Sequence, residues 1–218
     1  MAEEGITIAD GGAAAVEVLH ADPWLLLVHK PAGLLAVPGR GEDKRDCVLS
    51  RLQLRHADAL AVHRLDQVTS GVMVFARDPA THRALSLLFA ERRIDKAYVA
   101  VVEGSLADES GRIDLPLGAD WANRPRQVVD PVRGRPSSTD WQVVGRDRSG
   151  LRTRLLLHPH SGRTHQLRVH LAAIGHPIVG DVLYGAQPAA RVLLHASRLG
   201  FAHPHTGERI QATSPVPF

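Results

Sequence analysis

Residues 63–71 read HRLDQVTSG and run directly into the apolar stretch VMVF at 72–75. Side chains of an extended segment alternate between faces, so Arg64 and Asp66 project together while His63 and Leu65 point the other way. An ion pair on an open surface contributes little to stability. This pair instead lies between Val62 and the run GVMVF, and Thr69, Ser70 and Gly71 form a turn that holds the aspartate at a rim. A carboxylate at such a rim can act as a nucleophile or a base.

Outward from this segment the pattern favours strands. GVMVFARD reads as a buried strand ending at Asp78, which caps a helix over PATHRALSLLFAERR with Pro79 at its first position and Leu85, Leu88 and Phe89 facing the sheet. Upstream, WLLLVHKPAGLLAVPG (Trp24 to Gly39) predicts two short strands around a Pro-Ala-Gly turn, and CVLSRLQLRH (47–56) has helical spacing. Downstream, AYVAVVEG predicts a strand, SGLRTRLLLHP the turn and strand of a hairpin, and RVLLHASRLGFAHPHTGERIQA two strands joined by a turn. The expected fold class is α+β: a mixed, mostly antiparallel β-sheet core with flanking helices.

The chain has 218 residues, 44% hydrophobic and 22% charged, enough for a sizeable core. Cys47 is the only cysteine, so no intramolecular disulfide and no thiolate cluster for zinc can form. The first residues, MAEEGITIADGG, lack a basic and an apolar leader region, and no stretch approaches the length of a membrane span. A cytoplasmic protein with no membrane association is expected, and a monomer. The net charge is +3, but residues 120–170 carry ten arginines against four aspartates, while five acids and no Lys or Arg precede Lys30. Such a basic middle fits a polyanion. With 23 arginines and three lysines in all, it also fits codon composition and a solvated surface.

A second constellation is SGRTHQLRVHLAAIGHPIVGD, where Leu167, Leu171 and Ile174 recur at i, i+4 and i+7 of a helix closed by Gly175. Arg168 falls at the edge of that stripe, from which a guanidinium can reach a carboxylate of the sheet or lie over the core edge; His165 falls on the outer side.

HRLDQVTSG, KAYVAVVEG and SGRTHQLRVH, in this order, together with HKPAG and LLHA (His195), resemble the RluA family of pseudouridine synthases, from about Asp22 to Pro215. Within the family, LLAVPGRG and DWANRPRQ resemble the dual-specificity members most; His29 stands where asparagine is commoner. The resemblance implies a catalytic domain over 22–218, after an N-terminal extension and first strand at 1–21 that is too short for an RNA-binding domain of the S4 type. It implies Asp66 as the catalytic aspartate, acting by addition to the uracil or at the sugar anomeric carbon, Tyr98 as the tyrosine that stacks on the base, and Arg168 as the partner of the aspartate. Arg64 would enter the helical stack as the base flips out. His63, Arg163, His165, Gln166, Arg124 and Arg126 are the accompanying candidates for base flipping and RNA contact. No cofactor and no metal are implied. The substrates implied are uridine 32 of tRNA anticodon stem-loops and uridine 746 of 23S rRNA.

The chemistry itself asks for a charged carboxylate with a cationic partner and a flat apolar surface for uracil. Tyr98 is one of two tyrosines; the other, Tyr184, reads as structural. Two other classes fit parts of the sequence: a metal-dependent hydrolase using His158, His160 and Asp181, for which no HExxH or cysteine pair is present, and a non-catalytic RNA-binding or ribosome-assembly module.

Overall fold

The computed structural model describes residues 16–218, so the acidic leader at 1–12 lies outside the described residues. In chain order the strands and helices are β1 (Glu17–Ala21), β2 (Leu25–Lys30), α1 (Val48–Gln53), β3 (Leu60–Ala61), β4 (Ser70–Ala76), α2 (Pro79–Ala90), β5 (Asp95–Glu103), β6 (Ser110–Asp114), β7 (Leu117–Ala119), β8 (Gln127–Val129), β9 (Ser138–Arg146), β10 (Arg152–Pro159), α3 (Gln166–Ala173), β11 (Leu194–Ala202) and β12 (Arg209–Thr213). The main sheet runs β1-β2-β4-β11-β5-β10-β9-β6, with β12 added to β11 and β3 to β4. Its pairings among the described residues are antiparallel except β4 with β11. β7 and β8 form a separate two-stranded hairpin. The architecture is the α+β class expected, and the first strand, β1, is an edge of the same sheet.

The apolar runs that lack polar alternation are strands covered on both faces. Leu25, Leu27, Val72 and Val74 pack with Leu85 and Leu88 beneath α2, while Leu26, Val28, Met73 and Phe75 pack with Val48 and Leu52 beneath α1. A third cluster joins Ala100, Leu155 and Leu157 to Leu167 and Leu171 of α3. Asp78 caps α2 as its spacing indicates, its carboxylate accepting from the amides of Ala80 and Thr81.

Two local expectations are corrected. Leu34–Val37 is not a strand: the carbonyls of Leu35 and Ala36 accept from the amides of Val48 and Leu49, so this backbone caps the start of α1 instead of pairing with β2. Ile174 lies beyond the last turn of α3 and is exposed, because the helix ends at Ala173.

The parallel contact between β4 and β11 covers only Ser70 with His195 and Gly71 with Ala196, after which the strands part. His195, the histidine of LLHA, is buried there: its ring pairs with the Ser70 hydroxyl (2.8 Å) and with the Ser214 carbonyl (3.2 Å). Burial holds the imidazole neutral, with its pKa lowered to about 4. Gly71, with φ +124°, permits the approach, since a Cβ there would stand 2.1 Å from the Ala196 carbonyl oxygen. Gly71→Ala is therefore expected to destabilise the fold by about 3 kcal/mol or more. Urea unfolding measures this, and a midpoint equal to that of the wild type would show that the close approach is not needed.

Candidate active site

Asp66 sits in the turn between β3 and β4, at the wall of a cavity of about 100 Å³ that Arg64, Tyr98, Arg163, His165 and Arg168 also line. The turn is held from below. Lys30, fully buried, donates from Nζ to the carbonyls of Pro31 (2.8 Å), Leu34 (2.6 Å) and Gln67 (3.0 Å), tying the loop after β2 to the turn that carries Asp66. Burial lowers its pKa to about 7, against the opposing charge of Asp66. The amide of Gly33 donates to the Gln67 carbonyl, and the Gln67 side chain returns a bond to the Gly33 carbonyl.

Arg168 is buried beneath the cavity rather than at its edge. Its Nε and Nη2 donate to the two carboxylate oxygens of Asp181 at 2.6 and 2.8 Å, and Nη1 points to Asp66 at 3.4 Å. The guanidinium also lies 4.9 Å from the centre of the Tyr184 ring. A two-pronged pair fixes the guanidinium plane, and with it the direction of the remaining nitrogen. Sequence reasoning offers Asp181 only as a metal ligand and misses this role. His160 in turn is 2.6 Å from Asp140, so the three residues of the metal reading are not brought together. The available signal for Asp181 is its place between Gly180 and Gly185, in a turn closely following α3.

His165 corrects the expectation of an outward side chain. It precedes α3 in a left-handed conformation (φ 54°) that turns the ring inward. Its Nδ1 is 2.6 Å from the Tyr184 hydroxyl, whose oxygen accepts from the Gln127 amide (3.0 Å). A hydroxyl proton given to Nδ1 would leave the ring proton on Nε2, 3.9 Å from Asp66. Burial lowers the His165 pKa and favours this neutral form, with Asp66 opposing.

Tyr98, on β5 between Ala196 and Leu157 of the neighbouring strands, presents its ring to the cavity. Burial first, and the charge of Asp66 second, push its pKa up, so the hydroxyl is held protonated. Arg64 is exposed at the cavity mouth. Arg163 donates to the Pro136 carbonyl beside it.

Two candidates for RNA contact are instead satisfied within the protein. The His63 ring stacks on Phe89 (4.5 Å) and accepts from the Val74 amide, and burial lowers its pKa to about 3. Gln166 is buried with both ends of its amide occupied: Oε1 accepts from Ser161 and the Arg163 amide, and Nε2 donates to the Ser138 carbonyl and the Thr139 hydroxyl. Gln166 thereby ties residues 161–163 to the start of β9. Arg124 and Arg126 lie outside the cavity, in the exposed tip between β7 and β8, where Arg124 covers the Trp121 ring at 3.8 Å.

Residues 24–173 match the family model of RNA pseudouridylate synthases. Two dual-specificity RNA pseudouridine synthases named RluA, from Yersinia pestis and Escherichia coli K12, are 48% and 43% identical to this chain, over 87% and 92% of it and 94% and 93% of their own length. Human RNA pseudouridylate synthase domain containing 1 superposes with a TM-score of 0.79 at 29% identity, covering 97% of this chain and 87% of that one. The chain belongs to the RNA pseudouridine synthase family, and is an isomerase that converts uridine to pseudouridine in RNA.

Removing either member of the buried Arg168–Asp181 pair leaves the other charge without its counter-ion. Asp181→Asn and Arg168→Ala are each expected to cost about 3 kcal/mol or more of stability. Equilibrium urea unfolding checks this, and variants as stable as the wild type would show that the pair is not the anchor of the site.

Proposed function

We propose that Asp66 is the catalytic carboxylate and that the substrates are uridine 32 of tRNA anticodon stem-loops and uridine 746 of 23S rRNA. On this reading the enzyme works in the cytoplasm as a monomer. The observation that carries the assignment is the guanidinium of Arg168, fixed by Asp181 and aimed at Asp66 in a cavity walled by Tyr98. The dual specificity of the named relatives supports the choice of RNAs.

In the isomerisation the bond from uracil N1 to the sugar C1′ breaks, the base turns, and C5 bonds to C1′. C5 then loses its proton and N1 gains one, so atoms and charge balance. Asp66 begins the sequence, at the base or at C1′. The Tyr98 ring stacks on the uracil while it turns. Once Asp66 is bonded or protonated its charge is gone, which relieves one cause of the raised Tyr98 pKa; the hydroxyl can then give its proton to N1, and the phenolate left takes the proton that leaves C5. The His165 ring stands beside the second oxygen of Asp66, with Nε2 3.9 Å away, and limits where that carboxylate can turn. Arg64 enters the stack in place of the flipped base, and reaching a loop base costs less than opening a duplex. Arg124, Arg126 and Arg163 contact phosphates.

Release of tritium from uracil C5 tests the assignment in stem-loop transcripts of both RNAs. Asp66→Asn is expected to lose isomerisation while retaining RNA affinity within about twofold, because the change removes charge and keeps shape. Tyr98→Phe keeps the stacking surface, so a loss confined to kcat would locate the proton transfer at the hydroxyl. Substantial turnover by Asp66→Asn would rule the mechanism out.

A further inference from the structure

Beside the Asp66 cavity the surface opens into a groove of about 850 Å³. The two adjoin, since Lys96, Pro159, Ser161, Gly162 and Arg163 line both. Arg92, Arg112, Arg135 and Arg198 add to its positive charge. Among the described residues, the side chains of Arg92, Arg135 and Arg198 have no carboxylate or hydrogen-bond partner. The two carboxylates in the groove are already engaged, Asp95 by Arg209 and Asp140 by His160 and Arg112.

These cations feel one another. Burial lowers the Arg163 pKa and the charges of Arg135 and Arg92 lower it further; Lys96 is brought to about 8 by burial and by Arg92. Like charges gathered without counter-ions work against the compact state, and a groove lined this way concentrates anions. Residues 121–126 at the hairpin tip contribute nothing to its lining, so it is a surface separate from Arg124 and Arg126.

We propose that this groove carries the phosphate backbone of the RNA strand flanking the target uridine, with Arg92 and Arg135 joining Arg163 on neighbouring phosphates. The proposal rests on the uridine occupying the Asp66 cavity, from which the groove leads away. A folded RNA loop fits because its backbone leaves the flipped base on an unpaired strand.

The test is the salt dependence of binding to a fluorescent anticodon stem-loop transcript, compared between wild type, Arg92→Gln/Arg135→Gln, and Arg148→Gln. Arg148, exposed in the turn between β9 and β10, controls for loss of charge alone. Every phosphate that is no longer neutralised lowers the slope of log affinity against log salt by about 0.7 to 0.9. The double variant is expected to show a slope shallower by about 1.5 and an affinity about tenfold weaker, with Arg148→Gln unchanged. An unchanged slope in the double variant, or an equal fall in Arg148→Gln, would overturn the proposal. Tritium release by the wild type, run in parallel, reports on the Asp66 assignment separately, because the slope is read without turnover.

Discussion

The site depends on the two-pronged bond between Arg168 and Asp181, which settles where the third guanidinium nitrogen points. Asp66 comes from a turn before β4, Arg168 from α3 and Asp181 from the loop beyond it, so three separate parts of the chain converge on one planar cation. Burying such a pair does not by itself stabilise a protein relative to apolar packing of the same volume. The three apolar clusters beneath the helices supply the cohesion. The ion pair supplies direction, which a reaction at one carbon of one sugar requires.

A second layer holds the turn that carries Asp66 and the strand that follows it. Lys30 gathers three carbonyls beneath the turn, Gly71 lets β4 touch β11, and His195 ties Ser70 to the residues after β12. Leu65 and Thr69 are buried while Arg64 remains in solvent, so the alternation of HRLD sets one arginine outside and fixes the backbone beneath it.

Much of this is legible in the sequence. The alternation around Asp66, the Asp78 cap and the apolar stripes of α1 and α2 follow from local rules, and the ordered motifs point to the family. Contacts set by tertiary approach are not legible. Leu35 and Ala36 look like a strand but use their carbonyls to cap a helix. His165 faces inward because one residue adopts a left-handed conformation, which no periodicity signals. Gln166 and His63, whose motifs suggest contact with RNA, are satisfied within the protein. The glycines around Asp181 mark a turn but not its role, since its partner lies on the preceding helix and its geometry depends on how that helix docks.

The most direct measurement of the dependence on a directed guanidinium is the single-turnover rate of pseudouridine formation by Arg168→Lys at saturating RNA. Lysine keeps the positive charge and gives up the fork, so the rate is expected to fall about a hundredfold with RNA affinity little changed. A rate equal to that of the wild type would mean that charge near Asp66 suffices and that the direction imposed by Asp181 is not what the site depends on.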